Sequence, residues 1–211
     1  MSRSFKTFYE LERTSVVVNV RSLEVVSLDE AKAQLRITHA HEDQSLTALI
    51  KAARMMLERK FNRSLVQAEL EMYMDAFPVL NVFQKAPIYL DRSPVLEVTD
   101  VSYLDSDDEY VALNADQYRA DLTRHSARIE PRGCWPISSP KVGGVRIRYI
   151  AGPKENDSNP GIVPNLDISQ YAPEDVKHAM LLMIEHLYKG SSAEDMPRAV
   201  HSIMNNYCLG V

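Results

Sequence analysis

The sequence has little of what catalytic and phosphate-binding chains carry. It holds only seven glycines and neither a GxxxxGK[ST] loop nor a GxGxxG turn, so no backbone cradle for a nucleotide phosphate is encoded. A GxSxG elbow, which would present an α/β-hydrolase nucleophile, does not occur. CxxC and HExxH do not occur either. Cysteine is scarce: Cys134 and Cys208 lie far apart in the chain. One disulfide between them is allowed, but without a secretory signal two free thiols fit better. Arg3, Lys6, Glu10, Glu12 and Arg13 interrupt the first fifteen residues, which leaves no signal-peptide apolar region. The longest uncharged apolar stretch, residues 179–184, is far too short to span a bilayer. The cytoplasm of the producing cell is the expected compartment. A basic excess is also lacking, since 24 Lys and Arg face 29 Asp and Glu for a formal charge of -5. Affinity for phosphate backbones comes largely from counterion release by cations, so a nucleic-acid grip is not expected. The charge suits a chain that meets other proteins, or one that DNA must slide past.

The chain has 211 residues, with 45% apolar and 25% charged side chains. That is enough to bury a core without disulfides or metal, in one domain or one domain with a sizeable insertion. The fold class read from the periodicities is α+β: a small bundle of three to four helices with an inserted antiparallel β-rich segment. Residues 1–26 read as an N-terminal strand or extended arm around Val16-Val17-Val18-Asn19-Val20. Ser27-Leu28-Asp29-Glu30 is a capping box, and the helix it opens carries Leu28, Ala31 and Leu35 on one stripe to a stop near Arg36. Asp43 is the expected cap of the next helix. Leu46, Leu49, Ile50, Ala53, Leu57 and Phe61 then recur at helical spacing, with Asn62 as a left-handed stop.

From Ser64 the period becomes 2. Leu70, Met72 and Met74 alternate with Glu71, Tyr73 and Asp75. Further strands are expected at 88–91, 95–104, 110–113, 118–122, 127–131 and 145–151, with a bulge in 95–104 where the alternation slips between Val98 and Val101. Residues 64–151 thus read as a β insertion and 152–171 as a long loop. Residues 27–63 and 172–211 form the helical bundle. In its second half Pro173 opens a helix with Glu174 and Asp175 in the first turn, and Gly190 closes it. A last helix covers 197–207.

The third helix is unusually apolar. At about 100° per residue, Val176, Ala179, Met180, Met183, Ile184, Leu187 and Tyr188 cover an arc of roughly 200°, about twice what one core requires. Leu181 and Leu182 flank the polar stripe of Glu174, His178 and Glu185. Either the helix is wrapped by its own domain, or a neighbouring subunit covers part of it. On the second reading Leu181, Leu182 and His186 are interface candidates.

Chemistry-bearing clusters are few. His39-Ala40-His41-Glu42-Asp43 offers ligand types suited to zinc or a harder divalent ion, and a metal-dependent enzyme using His39, His41 and Glu42 is the alternative from a different functional class. A solvated connector with capping acids explains the same residues without a metal, and no metal or other cofactor is expected. Asp105-Ser106-Asp107-Asp108-Glu109 lacks the later ligands of a calcium loop and reads as a hairpin tip. Trp135-Pro136 has no basic-aromatic interleaving around it and reads as packing at a β edge.

The order of these pieces carries a resemblance. Val25-Val26-Ser27-Leu28-Asp29-Glu30-Ala31-Lys32-Ala33-Gln34-Leu35-Arg36 leads to a long helix ending in an Arg-Lys-Phe-Asn-Arg turn. A β segment follows with Trp135-Pro136 and Val145-Arg146-Ile147-Arg148-Tyr149-Ile150-Ala151-Gly152. The chain closes with Ala172-Pro173-Glu174-Asp175-Val176-Lys177 and a Pro-initiated helix ending in Tyr207. Over residues 20–207 this resembles the head-tail connector (adaptor) family of long-tailed phages and phage-like gene transfer agents. The resemblance implies a non-enzymatic virion protein at the head-tail junction, assembled in the bacterial cytoplasm. It implies a homo-oligomeric ring, commonly of twelve subunits, between the portal protein and a stopper or tail-completion protein, with a lumen through which double-stranded DNA passes. A tail-completion protein of the same assembly is the nearest alternative. The family's C-terminal segment often reaches toward the portal, which puts Pro197, Val200, Ile203, Met204 and Tyr207 forward as contacts.

Overall fold

A computed structural model describes residues 13–20, 24–81, 84–123, 126–136, 140–153, 173–192 and 195–206. The chain divides into two compact units, one built of strands and one of helices.

The β unit comprises residues 1–20, 68–91 and 95–151. Its main sheet has five antiparallel strands: β1 (Thr14–Val20), β2 (Ala68–Met74), β10 (Val145–Ala151), β6 (Val95–Leu104) and β7 (Tyr110–Ala112), in that spatial order. The remaining strands are β3 (Val79–Asn81) with β4 (Gln84–Lys85), and a three-stranded sheet in the order β5 (Ile88–Tyr89), β9 (Arg128–Pro131), β8 (Tyr118–Asp121). The alternation in β2 and β10 does what period 2 demands. Leu70 lies opposite Tyr149 and Met72 opposite Ile147, all four buried, while Glu71 and Arg148 share the other face. The expected bulge in β6 is present, because Arg148 pairs Asp100 while its neighbour Tyr149 pairs Val98. Ile88 and Ile129 join the same core. Trp135 stacks on Phe77 at 4.9 Å between ring centroids and donates its indole N–H to the carbonyl of Ala86 at 2.8 Å, which satisfies the one polar atom that burial would strand.

The helical unit comprises residues 21–67, 92–94 and 152–211. Its helices are α1 (Leu28–Leu35), α2 (Asp43–Phe61), α3 (Pro173–Tyr188) and α4 (Arg198–Asn205). The capping box at α1 is formed: the Ser27 hydroxyl accepts from the Glu30 N–H, and the Glu30 carboxylate accepts from the Ser27 N–H at 2.9 Å. Asn62 stops α2 at φ 50°, and Gly190 follows α3 at φ 73°. Asp43 is not the cap of α2. The N-cap is Glu42, and Asp43 is the first helical residue, its carboxylate turned to the Lys32 ammonium at 2.7 Å. Leu57, Leu65, Met180, Met183, Ile184 and Met204 lie wholly inside this core. Each such side chain contributes about 1.5–3 kcal/mol by leaving water.

Of the two readings of the N-terminal run, strand or extended arm, Thr14–Val20 is a strand of the sheet, paired with β2. Residues 64–67 and 92–94 lie in the helical unit, apart from the strands around them. The Ser64 N–H bonds the Ser93 carbonyl at 3.1 Å, and the Gly152 N–H bonds the Pro94 carbonyl at 2.8 Å. Gly152 sits at φ +126°, where an added Cβ would stand 2.3 Å from the Val66 carbonyl oxygen. Only glycine fits there.

Candidate interaction surfaces

The apolar arc of α3 is covered mainly by its own unit. Val176, Ala179, Met180, Met183 and Ile184 are all buried among α1, α2 and α4. Leu181, Leu182 and Leu187 are half-buried and pack on the rim of that core. His186 is also half-buried, its Nε2 2.9 Å from the carbonyl oxygen of Ser192. On α4, Pro197 is the N-cap and Ile203 is half-buried. Val200 and Met204 are wholly buried. These two therefore leave the set of expected contacts: at i and i+4 they form the inward stripe that docks α4 on α3. Tyr207 lies outside the described residues.

A polar seam holds the helices in register. Lys177 reaches the Glu30 carboxylate at 2.7 Å, Gln34 donates to Glu185 at 2.9 Å, and the Tyr188 hydroxyl donates to Glu42 at 2.9 Å. The Lys177 hydrogen bond, reinforced by the capping N–H of Ser27, lowers the Glu30 carboxyl to about 2. The same contact raises the Lys177 ammonium. His39 stacks on His41 at 4.7 Å between centroids, and its Nε2 lies 3.5 Å from Glu42. Glu42 is thus engaged with Tyr188 and His39. No group of three His, Cys, Asp or Glu side chains among the described residues is arranged to hold a metal ion.

Sequence periodicity did not reveal a buried ion network in the helical unit. Glu58, 3% exposed, accepts from Arg54 at 2.8 Å and from the Leu65 N–H at 2.9 Å, with Arg92 at 3.5 Å. Arg54 also donates to Glu24 at 2.8 Å. One turn apart on α2, Arg54 and Glu58 follow the i,i+4 rule, but Arg92 arrives from distant sequence and no local signal foretells it.

On the β unit the solvent face of the main sheet is a ladder of paired charges. Arg148 donates to Glu71 at 2.8 Å, and Arg146 lies over the Tyr110 ring at 4.0 Å, with Asp100 at 3.8 Å. Tyr73 donates to Glu71 and, together with Arg148, lowers that carboxyl. The acidic hairpin 105–109 is partly neutralised: Lys141 pairs with Asp108 and donates to the Asp105 carbonyl at 2.6 Å. Cys134 is an exposed free thiol, and Cys208 lies outside the described residues. No helix among the described residues is long and apolar enough to cross a membrane.

Residues 25–91 match the phage gp6-like head-tail connector protein family. That stretch runs from the α1 capping box through Glu58 to the end of β5. Over nearly the whole chain the fold is similar to that of chains in gene transfer agent particles. A chain in the virion of a native gene transfer agent particle superposes with a TM-score of 0.67 at 20% identity, covering 93% of this chain and 96% of that one. A chain in the neck of an empty gene transfer agent particle, computed with C6 symmetry, gives 0.65 at 20% identity over 92% and 96%. One in the neck of the native particle, computed with C12 symmetry, gives 0.61 at 21% identity over 93% and 97%. At such identities the likeness is one of fold. No curated protein matches the chain.

Proposed function

We propose that this chain is a structural head-tail connector, an adaptor that forms a ring below the portal of a tailed phage or phage-like particle. The observation that carries the reading is the connector-family match over residues 25–91 within a chain whose whole fold follows gene transfer agent neck and virion chains. The C12 symmetry of the similar neck supports twelve copies. Portal on one side and a stopper or tail-completion protein on the other are its expected partners. Identical subunits related by rotation close through head-to-tail contacts, and twelve weak contacts make a durable ring. Leu181, Leu182, His186, Pro197 and Ile203, half-buried on α3 and α4, are the candidate contacts on the helical unit. Double-stranded DNA passes the lumen without being gripped, in keeping with the formal charge of -5. The role is mechanical rather than enzymatic, the finished protein residing in the virion after assembly in the host cytoplasm.

Electron microscopy of the purified protein mixed with the portal encoded beside it tests the reading. Rings stacked on portal are expected. Portal that stays bare at saturating protein overturns it. The stage at which a deletion stalls assembly, leaking heads or full heads without tails, then helps to separate the adaptor from a tail-completion protein.

A further inference from the structure

The main sheet of the β unit has two open ends. Among the described residues nothing pairs with the outer side of β1 or of β7. Sheet edges are ordinarily blunted by lysine, proline, inward charges or bulges. β1 reads Thr-Ser-Val-Val-Val-Asn-Val, with no charge or proline, and its one blunting device is the bulge between Val17 and Asn19. Val16 and Val18 are 49% and 56% exposed. β7 reads Tyr-Val-Ala, and Val111 is 40% exposed.

Strand count decides what such edges can meet. Every pairing in the sheet is antiparallel and the strands number five, so β1 and β7 run in the same direction. A copy related by ring rotation brings its β7 beside β1 in parallel. Parallel alignment with Val17 beside Val111 sets Arg13, whose side chain is 37% exposed and held in its own subunit by Asp91 and the Tyr89 carbonyl, beside the acidic turn of Asp107, Asp108 and Glu109. Antiparallel pairing would instead set that acidic end against Val20. Val17, opposite Leu70, and Val111, opposite Tyr103, lie on the core face of the sheet, so they become neighbours across the joint.

We propose that a second copy of this chain docks edge to edge, β7 of one subunit extending the sheet at β1 of the next. This rests on the ring reading and names one of its joints. Cysteine pairing tests it, because a disulfide forms only with Cα atoms about 4.4–6.8 Å apart. In a background with Cys134 and Cys208 replaced by serine, rings containing V17C and V111C subunits are expected to yield the mixed disulfide. Rings of V16C with V111C, on opposite faces, are not. Val18→Lys, at a side chain 56% exposed, is expected to raise the assembly concentration about tenfold or more by charging the edge, with the unfolding temperature unchanged. Rings that form without the mixed disulfide overturn the joint and leave the ring reading standing. V17C homodisulfides in a closed dimer also overturn it. A chain that never assembles, with or without portal, overturns both.

Discussion

Glu58 shows how much one side chain can hold. It is buried, yet it takes hydrogen bonds from Arg54 and from the Leu65 N–H and faces Arg92. Deleting one member of a buried charged set leaves the rest uncompensated, at about 3–5 kcal/mol. Glu58→Ala is therefore expected to lower the urea midpoint severely. Glu58→Gln keeps an acceptor for Leu65 and should lose less. Glu30 sets a pH dependence. Its folded value, about 2, lies below the ordinary 4.5, so its contribution is fully present above about pH 4.5 and is lost as pH falls through 2. The raised Lys177 ammonium has the opposite sign: its contribution holds below the ordinary lysine value and fades as pH rises past the folded one. Thermal unfolding of the native protein and Glu30→Gln, compared from about pH 7 down to about pH 2, is expected to show a gap that closes on the acid side. A gap constant with pH would rule out this account of Glu30.

At the level of elements, α4 docks through two side chains, Val200 and Met204. Met204 is wholly buried and Ile203 beside it half-buried. Met204→Ala is expected to cost about 2–5 kcal/mol, the range for a large side chain lost from a packed core. Ile203→Ala should cost visibly less, and denaturant titration distinguishes them. Local signals were enough for several elements: the Ser27–Glu30 box opens α1, Asn62 closes α2, and the slip in β6 announces its bulge. The short β3–β4 hairpin escaped, because two or three residues are too few to show a period. That Thr14–Val20 joins β2, across the intervening residues 21–67, follows from no local pattern. The candidate contacts were only half legible. Periodicity gave the apolar arc of α3, but it could not say that α1, α2 and α4 cover most of it, or that Val200 and Met204 turn inward.

At the scale of the whole molecule, charge bears on how the genome would be handled. The excess of acid leaves the chain few surplus cations with which to release counterions on meeting DNA. The intact protein is expected not to retard linear duplex DNA in a gel at physiological salt, where basic DNA binders do. A clear retardation that weakens steeply with added salt would show a gripping surface instead.

The three residues 92–94 return from the strands to the helices, where Ser93 pairs with Ser64, Pro94 with Gly152, and Arg92 faces Glu58. The β unit is consequently no cassette. Excising it by joining residue 67 to residue 152 would also remove the cation that balances a buried carboxylate. A graft onto another helical host would need a loop that keeps Arg92, Ser93 and Pro94 in place.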